Sequence, residues 1–165
     1  MVKADDFGVE QWVDGNGQKI SPLHLADFGN KMKVIFCFQS WCPGCHSIGF
    51  PSLIQLTNSF SNMMDSIVFL AIQTVFEGFN ENTFESMLDA QKKYNLKIPF
   101  GHDAGNNGFS TSNFMKIYQT GGTPWFVIID RYDNVVFSDF HININGAVQY
   151  LYEEISKINV RIKNI

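Results

Sequence analysis

Cysteine is scarce in this chain: 165 residues hold three, too few to read as a disulfide framework. A chain of this length fits one domain, taken here as residues 1–165, and buries a sizeable core without covalent staples. Charge is also sparse, 17% of residues against 45% hydrophobic, which excludes a disordered chain. The net charge of −4 comes with no basic run, which argues against nucleic-acid binding. No apolar stretch approaches the length of a membrane span. Residues 1–7 lack a basic region followed by an apolar core. As it stands the chain therefore reads as cytoplasmic, or as periplasmic if an export signal preceded it. Internal repeats and low-complexity segments are missing too. What the chain has in excess is phenylalanine, 16 residues, which predicts an aromatic core.

Turn signals punctuate the hydrophobic runs. Asp14-Gly15-Asn16-Gly17 marks a hairpin between residues 9–13 and Lys19-Ile20. After a connector at 26–30, residues 33–38 read as a fully buried strand of parallel type. Residues 43–62 read as a helix that starts at Pro43 and is kinked by Pro51. A second buried strand covers 67–76. Asn82 and Glu85 have the spacing of a capping box and open a helix carrying Phe84, Met87, Leu88 and Tyr94. Residues 98–100 form a short strand, and 101–112 a loop holding His102 and Asp103. A short helix bears Phe114, Ile117 and Tyr118, and Gly121-Gly122-Thr123-Pro124 is a break. Residues 125–129 and 135–140 pair as a hairpin across a turn at 131–134. Asn143 or Asn145 caps a last helix with Val148, Leu151, Ile155 and Ile158 at helical spacing. This order predicts an α/β sandwich with a mixed central sheet.

The chemistry concentrates at Cys42-Pro43-Gly44-Cys45. Thiols at i and i+3 across a strand-to-helix turn can close a small disulfide. Cys42 falls at the helix N-terminus, where unpaired N–H groups and the helix dipole favour a negative charge. A thiolate is the species that attacks disulfides, so Cys42 is the candidate nucleophile. Cys45, one turn into the helix, is expected to be more buried and less acidic, and to resolve the mixed disulfide. Pro43-Gly44 sets the stiffness of the turn and brings no charge, so a reducing poise is expected. A zinc half-site is the competing reading, but structural zinc takes four ligands and one pair is present. No metal and no organic cofactor are expected. Cys37 reads as a small apolar core residue.

His46 is expected to be a solvated residue of the first helical turn, because adjacent helix residues do not face each other. Proton transfer is its functional alternative. His102, placed in a loop, is likewise expected to be solvated. Thr123-Pro124, between a glycine pair and a strand, is expected to carry a cis bond.

The chain resembles the thioredoxin-like superfamily, and within it the TlpA-like and redoxin branch. Gly15 through Asp27 is similar to that branch's N-terminal hairpin and lead-in. Phe38-Gln39-Ser40-Trp41-Cys42-Pro43-Gly44-Cys45 is similar to its active-site strand and turn. Gly122-Thr123-Pro124 before Phe126–Asp130 resembles its cis-proline strand, and Asp133-Asn134-Val135-Val136 its hairpin turn. The resemblance implies a thioredoxin-like α/β/α sandwich with a mixed sheet, an N-terminal β-hairpin extension and an inserted βα element. It implies a thiol–disulfide oxidoreductase of the protein disulfide reductase type, acting as a monomer. Its partners would be protein or small-molecule disulfides and thiols, together with an upstream thiol reductant. Pro124 would lie opposite the dithiol, with Thr123 offering its backbone to an extended substrate. Trp41, Pro43 and Gly44 would complete the substrate site.

Two positions depart from the pattern. Phe36 stands where relatives often place a buried carboxylate, and Ile48 where they often carry a glutamate. Glu77, past the second buried strand, is the expected substitute for proton transfer. Two other activities fit the scaffold. A peroxiredoxin-like thiol peroxidase would need proline and serine or threonine where Ile35 and Gln39 stand. A copper-binding module would pair the thiols with a histidine.

Overall fold

A central strand buried on both faces sets the architecture. The chain runs β1 (Val2–Lys3), β2 (Gln11–Val13), β3 (Lys19–Ile20), a 3-10 turn (Leu25–Phe28) and β4 (Met32–Phe38). A π-helical turn (Cys45–Gly49) then leads into α1 (Phe50–Ser59), followed by β5 (Ile67–Thr74), α2 (Phe84–Lys93) and β6 (Phe100–Asp103). Last come α3 (Asn113–Tyr118), β7 (Trp125–Ile129), β8 (Asn134–Asp139) and α4 (Ile144–Lys163). The computed structural model describes residues 2–163, with side chains through Lys157.

The strands form one sheet in the order β1-β8-β7-β4-β5-β6-β2-β3. The pairs β4–β5 and β5–β6 are parallel and the rest antiparallel, so the sheet is mixed. Every residue of β4 is buried. Its Val34, Phe36 and Phe38 join a core with Leu53 and Leu56 of α1, Met87 of α2, and Leu151 and Ile155 of α4. Its Ile35 and Cys37 join a second core with Phe7, Trp12 and Phe114 of α3. Two cores on opposite faces of one sheet make an α/β/α sandwich. Phenylalanine dominates the first: Phe36 packs on Phe38, Phe50 and Phe126 with ring centroids 5.9, 5.0 and 4.9 Å away. The hairpin β2–β3 adds to the sheet beside β6, its turn tied by Asp14 Oδ1, which accepts from the N–H groups of Asn16 and Gln18. Among the described residues no helix is long and apolar enough to cross a membrane.

Several elements differ from expectation. The helix after Cys42 starts at Pro43 and passes at Cys45 into a π-turn, in which Phe50 N–H donates to the Cys45 carbonyl five residues back. Pro51, which has no N–H to donate, enters just as the α pattern begins. The cap of α2 is Thr83, not Asn82: Ser86 N–H donates to Thr83 Oγ1, and Thr83 N–H to Ser86 Oγ. Residues 101–103 extend the strand at Phe100 and are not loop, because Phe100 to Asp103 pair with Ala71 to Thr74 of β5. Asn143 is the residue that caps α4, its Oδ1 accepting from Gly146 N–H. The side chain of Ile158 lies outside the described residues.

Candidate active site

The site forms where β4 ends. β7 runs antiparallel to β4, with Cys37 opposite Trp125 and Phe36 opposite Phe126. The residues before β7, Thr123 and Pro124, are thereby brought beside the residues after β4, the Trp41–Cys45 turn. The Thr123–Pro124 peptide bond is cis. A Cβ built on Gly44 would lie 3.3 Å from Pro124 Cδ, and one on Gly49 3.0 Å from Pro124 Cβ and 2.7 Å from the Phe36 ring. Glycine at 49 lets the helix start settle onto both.

Cys42 is half-buried, Cys45 fully buried, and both are free thiols. The Cys42 sulfur accepts from Cys45 N–H at 3.2 Å and faces the Thr123 carbonyl at 3.6 Å. Burial pushes the Cys45 thiol well above its ordinary range, the Cys42 side chain adds to the rise, and the Gln39 backbone and Thr123 side chain oppose it. Cys37 is fully buried on the other face of β4, and burial raises its thiol as well. The arrangement is an accessible sulfur in front of a protonated, sheltered one.

Trp41 stands at the rim, 47% exposed, and Pro43 is exposed beside it. Trp41 N–H donates to Asn82 Oδ1 at 3.1 Å, and its ring lies on Gly78, where a Cβ would come within 2.7 Å. Gly78 has φ +59, so the loop 75–83 can follow the indole closely. Gln39 Oε1 accepts from Phe76 N–H, and Asn82 Nδ2 donates to the Glu77 carbonyl, which fixes that loop. On the opposite rim Trp125 packs edge-on against Phe140 at 4.5 Å, and its Nε1 donates to Ser138 Oγ.

Three expectations about polar residues need correction. Glu77 is exposed, so it does not stand in for a buried carboxylate beneath the thiols. Phe36 fills that space with its ring. His46 is not solvated: its Nδ1 lies 2.5 Å from the Tyr94 hydroxyl and its Nε2 2.5 Å from the Ser40 carbonyl. His102 is buried on β6, where its Nδ1 accepts from Gln73 Nε2 at 3.1 Å. Burial lowers the His102 pKa, against Asp103 and Glu85, which raise it. Beside the site, sequence reasoning missed the buried side chains of Gln39 and Gln73 and gave Asn82 only a capping role. Their side chains bond backbone groups brought together by the sheet, and no local pattern marks them. Among the described residues no three His, Cys, Asp or Glu side chains gather into a group able to hold a metal ion.

The chain is similar in sequence and fold to known proteins. The sequence profile of the redoxin family matches residues 9–155. A solved thioredoxin-like superfamily protein is similar at 27% identity and a TM-score of 0.82, over 94% of this chain and 97% of the other. A thiol-disulfide isomerase from Corynebacterium glutamicum superposes with a TM-score of 0.73 at 22% identity, over 94% and 96% of the two chains. A thiol-disulfide oxidoreductase from Bacteroides fragilis does so with a TM-score of 0.66 at 20% identity, over 91% and 99%. No curated protein matches the sequence.

Proposed function

The chain belongs to the redoxin family, and from that premise we propose that it is a thiol–disulfide oxidoreductase working through Cys42 and Cys45. The observation that carries this reading is the graded pair: a half-buried sulfur accepting a backbone N–H at 3.2 Å, in front of a fully buried thiol. In the reducing direction the Cys42 thiolate attacks one sulfur of a substrate disulfide. A Cys42–substrate disulfide forms and the other substrate sulfur leaves as a thiolate. That thiolate takes the Cys45 proton. Cys45 then attacks the Cys42 sulfur, closes the Cys42–Cys45 disulfide and releases the second substrate sulfur. Two electrons pass to the substrate, and an upstream thiol reductant restores the dithiol.

Trp41, Pro43, Gly44, Thr123 and Pro124 surround the reacting sulfur and form the substrate site. A protein or small-molecule disulfide fits there, with an extended segment laid along the Thr123 backbone. The protein acts as a monomer in this scheme. The test is the midpoint potential of the Cys42–Cys45 couple in glutathione or dithiothreitol buffers. A value near ~−270 mV supports a reductase suited to a reducing compartment. A value near ~−120 to −180 mV supports an oxidase or isomerase of an exported protein. Cys42→Ser removes the couple, and Cys45→Ser accumulates the mixed disulfide. Absence of a reversible two-electron couple in the unaltered protein overturns the proposal.

A further inference from the structure

Ser40 and His46 flank the segment that carries both thiols, and they are bonded to each other. His46 Nε2 lies 2.5 Å from the Ser40 carbonyl oxygen. A carbonyl only accepts, so Nε2 bears a hydrogen, and Nδ1 lies 2.5 Å from the Tyr94 hydroxyl. Tyr94 sits at the C-terminal end of α2 and is held by stacking on Phe50 at 4.2 Å. The His46 ring stacks on both, 5.7 Å from each. Ser40 is anchored from the other side. Its N–H and its hydroxyl both donate to Gln73 Oε1, at 2.8 and 2.6 Å. Gln73 Nε2 donates in turn to the Thr83 carbonyl and to His102 Nδ1. Gln73 and His102 are direct neighbours on β5 and β6, so the chain of bonds ends in the sheet. Residues 40–46 are thus fixed to the sheet at one end, to α2 at the other, and closed on themselves by one hydrogen bond.

Resting on the redox reading above, we propose that His46 is a positioning residue for disulfide exchange: its bond to the Ser40 carbonyl closes the segment 40–46 and holds the two sulfurs in bonding range. It touches neither sulfur through a hydrogen bond; its partners are Ser40 and Tyr94. The physical effect is on effective concentration. Two thiols held together in the reduced protein lose less freedom when the disulfide closes, which favours the disulfide. Releasing the clamp loosens the dithiol form, lowers the effective concentration of one sulfur at the other, and makes the pair easier to reduce. The π-turn, which begins at Cys45 and contains His46, fits this assignment, since such turns recur at functional sites.

The test compares variants by their equilibrium with glutathione, beside their stability in urea. His46→Phe keeps a ring on Phe50 and Tyr94 and removes both nitrogens. His46→Gln retains an N–H that can reach the Ser40 carbonyl. Tyr94→Phe removes the hydroxyl bonded to the imidazole Nδ1. The expected result for His46→Phe is an equilibrium about tenfold further toward the dithiol, a rise of about 30 mV. His46→Gln should stay within about twofold of the unaltered protein, and Tyr94→Phe should shift about threefold in the same direction as His46→Phe (fractions of the same tenfold step). An unmoved equilibrium in both His46→Phe and Tyr94→Phe, even with lowered stability, would overturn the inference and leave His46 a packing residue. Should His46→Phe fail to fold, Tyr94→Phe decides alone. A reversible couple in the unaltered protein with unmoved variants defeats this inference only, whereas absence of that couple defeats the redox reading as well.

Discussion

Burial separates the three thiols. Cys37 and Cys45 are fully buried, and their pKa values are raised chiefly by loss of solvent. Cys42 is half-buried, and its sulfur accepts a backbone N–H. Access favours Cys42 as the site of alkylation. The reduced native protein is therefore expected to take one iodoacetamide adduct at neutral pH, located on Cys42 by peptide mass spectrometry, and three once denatured. Alkylation of Cys45 ahead of Cys42 in the native state would reverse their assigned roles. The deeper burial of Cys45 was legible in the sequence, because a CxxC before a helix fixes which sulfur meets the N–H groups. The histidines were not. His46 meets Tyr94 from 48 residues away and His102 meets Gln73 from 29. A solvated histidine and one clamped by distant partners look alike until the sheet brings those partners in. Glu77 failed for the same reason: the end of a buried strand was readable, the outward side chain was not.

The helix that carries Cys45 shows how much of an element can be read ahead. Its start at Pro43 follows from a residue with no N–H to satisfy. The π-turn does not, since α and π patterns differ only in which carbonyl accepts each N–H. In retrospect Gly49-Phe50-Pro51 accounts for that turn: glycine for contact, phenylalanine for the aromatic cluster, proline where the α pattern resumes. Gly49 gives a direct test. A methyl group there would meet the Phe36 ring at 2.7 and 2.8 Å and Pro124 at 3.0 Å. Phe36 lies in the buried strand β4 and Pro124 directly before β7, so the helix start has to shift. Gly49→Ala is expected to destabilise the protein by about 1–3 kcal/mol in urea titrations, the usual range for an overpacked core. Disulfide exchange should slow as well, since Gly44 and Cys42 move away from Pro124 and Thr123. Unchanged stability together with an unchanged exchange rate would mean that the contact is slack. The cap of α2 makes a smaller point. Asn82 and Thr83 are both capping residue types. The choice went to Thr83 because Asn82 is engaged by Trp41 and the loop before α2.

At the scale of the whole molecule, the order of strands and helices carried most of the architecture. Apolar runs at 34–38 and 67–72 marked β4 and β5 as interior strands, and turn signals marked both hairpins. The far side of the sheet was less readable, because residues 100–103 include a glycine, a histidine and an aspartate and become strand only by pairing with β5. That pairing buries His102, and burial links it to global stability. Its folded pKa lies below the ordinary histidine value, so on acidification the unfolded chain takes up a proton that the native state refuses. The stability tied to His102 is thus fully present above about pH 6.5, the unfolded value, and is lost as pH falls toward the folded pKa. His24 acts with the opposite sign. Its hydrogen bond to Asp6 raises its pKa, so its contribution is present below the unfolded value and lost as pH rises through the folded one. The two partly cancel in a pH profile, and a single-site variant separates them. His102→Asn places an amide oxygen where Nδ1 now accepts from Gln73, and it cannot titrate. Urea midpoints at about pH 7, 6 and 5 are expected to fall more for the unaltered protein than for His102→Asn, with the gap between them shifting in favour of the variant as acid is added. A gap that stays constant over that range would mean that His102 titrates alike in the folded and unfolded chains, and that its burial in the sheet leaves its charge unpenalised.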